Sequence, residues 1–591
     1  MTEIIRGSEY LIKEVTKEQV YVPEQFDDEQ KAMADMTHQF VHEEVMPDIE
    51  GIEKQDFSLV TKHLTKCGEL GLLATDTPEE YGGLDLDKVT SMIIAEKIAM
   101  AGSFSVAFTA HTGIGTLPLV YYGTPEQKEQ YLEKITSGEW FAAYCLTEPG
   151  SGSDALGAKA TATLSEDGSH YILNGTKQFI TNADFANLFT VFAKIDKEHF
   201  TAFLVERDFE GLSIGPEEKK MGIKGSSTCQ VILEDCKVPV KNLLGEIGKG
   251  HKIAFNILNV GRFKLGSCTN GASKQVISEA LEYANQRKQF GIPVSRFGAL
   301  QEKAANMMSD LFASEALVYR LAGDLDANLV KLDKSSDTYY REYEKAIEDY
   351  AAECAITKVF CSEVLREIVD EGLQMYGGYG FVSEYSAERA YRDERINRIF
   401  EGTNEINRLL IPGTILKKAM KGELPLQAEA MKAFESLMVP ALDDIDEEVP
   451  FAKEKKLLEN LKKVFLILSG AAVQKYMDKL QREQEILMAA ADIAIQIYAI
   501  ESAVLRAEKA MDMVSEKQQK LMAAAVTSFT FSATEKLASA AKKCAYYVEE
   551  GDNLMMILSG IRRYTKYDAT GLLTAKRELA DAAFTQEKYI F

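Results

Sequence analysis

The residues best suited to chemistry sit in Arg398-Ile399-Phe400-Glu401-Gly402-Thr403-Asn404. A carboxylate set between apolar side chains and a glycine can lose its water shell. That raises its pKa toward neutrality and makes it a usable base. Gly402 would let a ligand approach the backbone closely. The same residues also describe a glutamate that caps a helix or pairs with Arg398. A second segment, Gly150-Ser151-Gly152-Ser153-Asp154-Ala155, fits G-x-G-x-x-A. That pattern binds a dinucleotide only where it leaves a strand and opens a helix. Here strand-like ATATL and a hairpin follow, so a Rossmann reading fails. What is left is a compact loop of N–H groups and hydroxyls, fit for a polar or anionic group, or a plain surface turn.

Other chemistries lose their support. The seven histidines are scattered and form no H-E-x-x-H; His38 and His42 share a helical face, more simply a solvated face than a metal pair. There is no G-x-S-x-G elbow and no G-x-x-x-x-G-K-[ST] loop. The eight cysteines include no C-x-x-C, and no metal is expected. The net charge of −24 argues against nucleic acid and requires local Arg or Lys for any anionic substrate. No uncharged apolar run approaches 18 residues, and the start has no long apolar core, so a cytoplasmic location is expected.

The elements that would position these residues fall into blocks. The 591 residues suggest about four domains. Residues 1–139 read as an α-helical domain, with Thr124-Pro125-Glu126-Gln127 a clear helix start. Residues 140–245 are short β-branched or aromatic runs. Asp167-Gly168 and Asn174-Gly175 mark hairpin turns, implying an antiparallel sheet or barrel. Residues 246–420 return to helical period, with a loop expected in LDKSSDTYYREYEKAIEDY. Residues 421–450 read as an acidic linker, and 451–591 as further amphipathic helices. There KVFLILSGAAV is the most apolar stretch, read as a buried helix, with a membrane-surface face as the minor alternative.

Five motifs occur in order on this layout: YCLTEPGSGSDA (144–155), KQFITN (177–182), RKQFG (287–291), QMYGGYGF (374–381) and RIFEGTN (398–404). The sequence resembles the acyl-CoA dehydrogenase family over about residues 27–418. The C-terminal region resembles that of its long- and very-long-chain branch. The fold class implied is multidomain α and β: an N-terminal α domain, a central β domain that binds flavin and a C-terminal four-helix bundle, plus an extra helical domain.

The resemblance also implies roles. FAD is the cofactor, with a neighbouring subunit completing its site. Tyr144, Leu146, Thr147, Ser153, Phe179 and Thr181 match the flavin-side strand, loop and second strand. Phe179 stands where many members carry Trp, which keeps an aromatic face. Arg287 and Gln289 match the segment reaching the partner's FAD; Gln374, Gly377 and Gly378 match the adenosine loop; Thr403 and Glu405 match adenine-side contacts. Ser153, Phe255, Asn259, Gly261, Arg262 and Gly402 match acyl-CoA contacts, with Arg262 supplying charge for the CoA part and Phe255 lining the acyl tunnel. Glu401 is the catalytic base, and the backbone N–H of that glutamate helps stabilise the enolate-like charge. Ala110, Gly113 and Gly115 suggest an open pocket floor and long substrates. The implied partners are fatty acyl-CoA, electron-transferring flavoprotein and a second copy of the chain in a homodimer. An acyl-CoA oxidase on the same fold is the competing reading.

Overall fold

The computed structural model describes residues 4–336, 338–439, 446 and 448–591. Helices from Asp28–Phe40 to Pro125–Thr136 build the N-terminal part. The helix start read from Thr124 is present: its hydroxyl accepts from Gln127 N at 3.3 Å, and Gln127 Oε1 accepts from Thr124 N at 3.0 Å.

Eight strands follow: β1 Ala142–Cys145, β2 Thr161–Leu164, β3 His170–Thr181, β4 Leu188–Ile195, β5 His199–Glu206, β6 Leu212–Ile214, β7 Thr228–Pro239 and β8 Leu243–Leu244. Their order is β6-β7-β3-β2-β4-β5-β8, with β1 also on β4. The sheet is not wholly antiparallel, because β1 and β2 both run parallel to β4. The chain between each of them and β4 is long enough for a crossover, which a parallel pair needs. Asp167-Gly168 does make the β2–β3 turn, with Gly168 at φ 69°. Asn174-Gly175 does not turn the chain. It lies inside β3 at a register shift, where Gly175 has φ 147° and a Cβ would stand 2.8 Å from that of Ala160. The glycine serves a bulge rather than a hairpin.

Helices Gly250–Gln286, Gly298–Leu329, Ala351–Tyr376 and Asn404–Met420 form the bundle, and Ala351–Tyr376 packs on the other three. The polar stretch between the second and third holds a short helix, Tyr339–Asp349, as well as a loop. The stretch read as a linker is partly structured: Leu426–Glu435 is a helix packed on Ala452–Tyr476. Most of its acidic run lies outside the described residues.

Beyond it come Ala452–Tyr476, Gln484–Ala510, Glu516–Val548, Gly551–Tyr564 and Leu572–Gln586. In KVFLILSGAAV, Val464 to Leu468 are all buried. The most apolar long helix is instead Gln484–Ala510, long and apolar enough to cross a membrane by length and composition. Its apolar window is 83% buried within the protein. Ionic contacts join it to the rest, among them Arg408 to Asp492 at 2.7 Å, Arg506 to Glu24 at 2.8 Å and Arg320 to Glu501 at 2.9 Å.

Candidate active site

The loop between the helical turn at Arg395–Arg398 and the helix Asn404–Met420 carries Glu401. Glu401 has φ 56° and Gly402 φ 79°, so two successive residues are left-handed, which costs a non-glycine residue energy. The turn persists because its carbonyls are clamped. Arg262 Nε and Asn407 Nδ2 donate to the Glu401 carbonyl at 3.1 and 3.3 Å. Lys358 Nζ and Asn407 Nδ2 both donate to the Gly402 carbonyl at 2.8 Å. Thr403 then caps the following helix, accepting from Ile406 N at 3.2 Å.

The clamps leave the side chain unencumbered. Glu401 Oε2 is buried and has no hydrogen-bond partner among the described residues. Burial pushes its carboxyl up to about 7, against the opposing pull of the Arg262 and Lys358 charges. Arg398 pairs with Glu394 at 2.9 Å rather than with Glu401, which removes the salt-bridge alternative. Gly261 is fixed by contact: a Cβ there would stand 2.6 Å from Glu401 Oε2.

Glu401 borders a cavity of about 180 Å³ together with Gly261, Thr181, Phe400, Val106, Ala110, Gly113 and Leu265. Ala110 and Gly113 are on its wall, as expected for the pocket floor. Gly115 is not; a Cβ there would lie 2.9 Å from the Ala142 carbonyl, so its smallness serves packing against β1. Phe255, read as a tunnel residue, is absent from the wall and is 42% exposed; it lies six residues before Gly261, roughly a third of a turn round the helix from it. Arg262, expected near CoA, is buried and turns inward. Its Nη1 bonds Asn259 Oδ1 at 2.9 Å while Nε holds the Glu401 loop.

On the β side, Phe179 occupies a bulge in β3 at φ 58° and is 62% exposed. Gln178 N donates to the Thr147 carbonyl at 2.9 Å, tying that strand to the loop after β1. Tyr144 and Leu146 are buried; the Tyr144 hydroxyl donates to the Ala254 carbonyl at 3.4 Å. Ser153 is exposed in a loop that leads to a short turn, Ala155–Gly157, and not to a long helix, so the failed Rossmann reading stands.

A second group lies elsewhere. Arg287, Gln289, Gln374, Gly377 and Gly378 are exposed, with the Arg287 guanidinium 5.3 Å from the Tyr379 ring centroid. Gly261 and Arg287 share one helix and its last cap, so about 39 Å separates the groups along its axis. Glu405 is exposed in the first turn after the Glu401 loop.

Four residues that matter here were missed by sequence reasoning. Lys358, Asn404 and Asn407 hold the Glu401 loop, and Glu148 pairs with Lys177 at 2.7 Å to join two of the quoted motifs. Lys177 and Asn404 sit inside those motifs, and a charged residue within the mostly apolar stretch 354–361 was the available signal for Lys358.

Comparison with known proteins now bears on this geometry. Family models match in chain order: acyl-CoA dehydrogenase N-terminal domain over 27–139, middle domain over 143–236, and two C-terminal domains over 248–416 and 460–563. A probable acyl-CoA dehydrogenase of Bacillus subtilis (strain 168) is 50% identical over 587 residues, covering 99% of each chain. The very long-chain specific acyl-CoA dehydrogenase of Rattus norvegicus mitochondria is 36% identical over 75% of this chain and 69% of its own. A solved acyl-CoA dehydrogenase complexed with FAD from Bacillus anthracis superposes with a TM-score of 0.96 at 50% identity, over 99% of this chain and 100% of that one.

Proposed function

The chain belongs to the acyl-CoA dehydrogenase family, and from that membership we propose that it uses FAD to dehydrogenate saturated long-chain fatty acyl-CoA to the trans-2-enoyl thioester. The observation that carries the reading is Glu401: an unpartnered carboxylate, raised to about 7, on the wall of a mainly apolar cavity. Such a group takes a proton from the carbon next to a thioester carbonyl. Near neutral pH a large fraction is ionised and yet basic enough to react.

The residues present fit FAD. Phe179 offers an exposed aromatic face, Thr181 lies on the cavity wall, and the loop at Thr147 is tied alongside. Gly150, Gly152, Gly377 and Gly378 have no heavy atom within 4 Å of where a Cβ would stand, so the backbone is open to a ligand at both groups. Bound FAD supplies the hydride acceptor. The protein's part is to orient the thioester, exclude water and hold the base. The spacing of the two groups along one helix exceeds the reach of one dinucleotide. That supports a homodimer in which each chain lends its Arg287 end to the other's cofactor. A long-chain preference is supported by Ala110 and Gly113 on the cavity wall. Electron-transferring flavoprotein is the proposed acceptor, and a cytoplasmic location agrees with eight free thiols.

Anaerobic addition of an acyl-CoA chain-length series to the FAD-loaded protein tests the reading. Bleaching of the flavin by long chains, lost in Glu401→Gln, is expected; retained colour with every chain length overturns it. Rapid reoxidation by air in place of the flavoprotein acceptor would instead mark an oxidase.

A further inference from the structure

Lys358 is fully buried in the helix Ala351–Tyr376, in a run of otherwise mostly apolar or small residues. A buried ammonium is costly unless its donors are satisfied. Here Nζ spends two of them on the segment that follows Glu401: the Gly402 carbonyl at 2.8 Å and Asn404 Oδ1 at 2.6 Å. Both acceptors are neutral, so no carboxylate cancels its charge by direct contact. The lysine therefore does two things at once. It fixes the second left-handed residue of the turn, and it leaves a positive charge behind the base.

We propose that Lys358 is a positioning residue for Glu401, clamping the left-handed turn through Gly402 and Asn404 and using its ammonium charge to favour the ionised carboxylate. This rests on the reading of Glu401 as the base. The groups facing Lys358 come from every element around it: Glu401 from the loop, Arg262 from Gly250–Gln286, Glu363 from its own helix and Glu405 from Asn404–Met420. Glu363 is itself held by Arg408 at 2.7 Å, and Arg408 by Asp492 of the added helical region. Glu363 also accepts from Asn404 Nδ2 at 3.1 Å. The Asn404 amide is thus held from both ends, by Glu363 on its nitrogen and Lys358 on its oxygen. Burial draws the Lys358 ammonium down to about 7 while the Glu401 charge opposes that fall. The two groups therefore titrate in the same range, and each favours the charged form of the other.

Arg262 cannot substitute for this role. It holds the Glu401 carbonyl, one peptide earlier, and its other assigned donor goes to Asn259. Loss of Lys358 leaves the Gly402 carbonyl with Asn407 Nδ2, a single amide already shared among three carbonyls.

The test uses flavin-loaded full-length protein and the variants Lys358→Gln, Lys358→Met and Lys358→Arg, with kcat and KM followed against pH. The Gln and Met proteins should keep their flavin and KM, lose roughly tenfold to a hundredfold in kcat, and move the acid limb of the kcat profile upward by about one pH unit. The Arg protein should return that limb to its wild-type position even where kcat stays low. A Gln or Met holoenzyme with an unmoved limb overturns the proposal, as does activity that falls only in proportion to lost flavin. Should neither neutral variant accumulate, the Arg protein decides: a limb that moves although the charge is kept also overturns it. A wild-type holoenzyme inert toward every acyl-CoA would instead remove the assignment of Glu401 itself.

Discussion

Glu401 and Asp76 are two carboxylates, each with a buried oxygen, on opposite chemical terms. Asp76 accepts from Lys88, from Lys264 at 2.6 Å and from Ser91 at 3.0 Å, and these lysines hold its carboxyl far below the usual range. Glu401 has positive charges nearby but none in contact with its carboxylate, and burial drives it up to about 7. Gly261 and Lys264 lie less than one turn apart on one helix and touch the two acids in turn. Burial alone therefore does not assign a role. What separates the proposed base from the structural anchor is whether the cations bond the carboxylate or the backbone behind it.

The contrast has opposite pH signatures. A raised folded pKa favours the folded state at low pH, and that contribution is lost as pH rises from the ordinary 4.5 through about 7. A depressed folded pKa does the reverse: Asp76 contributes fully above its ordinary 3.8 and loses that contribution as pH falls below it.

The largest expected effect is from Glu401→Gln. Turnover should fall by about 10²- to 10⁴-fold, while the melting profile at pH 8 should show a gain of up to about 3 kcal/mol that vanishes toward pH 5. Loss of stability at pH 8 would break the comparison. Next, Asp76→Asn leaves Lys88 and Lys264 buried without a counter-charge. Urea unfolding should show a loss of about 3–5 kcal/mol, with turnover per folded, flavin-bound molecule changed far less than in Glu401→Gln.

Gly261→Ala sharpens the contact side of the same contrast. Its Cβ would press on Glu401 Oε2 at 2.6 Å, so kcat should fall roughly tenfold or more through misplacement of the base, with melting temperature measured alongside to separate this from unfolding. The smallest effect is from Gly113→Ala. The new Cβ would meet Lys264 Cδ at an ordinary 3.7 Å. Stability should hold, and kcat/KM should drop roughly threefold for the longest chains only. An equal drop for butyryl-CoA would take Gly113 out of the chain-length wall.

Much of the site was legible because motif residues carry their chemistry with them. Glu401 between Phe400 and Gly402 read either as a desolvated base or as a capping or salt-bridged glutamate, and the structure leaves its Oε2 unpartnered and its carboxyl raised to about 7. Thr124 read as a helix cap, and it bonds as one. Asn174-Gly175 misled because the same dipeptide suits a hairpin turn and a bulge, and only the strand pairing across β7 separates them. Arg262 misled for a related reason. Its charge was visible, but whether it faced a ligand or the protein depended on a loop 139 residues away.

The sequence by itself determined the α, β, α order and the family, and it singled out Glu401 as the candidate base, since periodicity, turn residues and short motifs are local properties of the chain. Only the tertiary structure decided which cations bond a carboxylate and which bond the carbonyls behind it. Lys88 and Lys264 reach Asp76 from separate helices, while Lys358 and Arg262 reach the Glu401 turn. A pKa depends on distances of a few ångströms between groups far apart in the chain, and spacing along the backbone does not encode them.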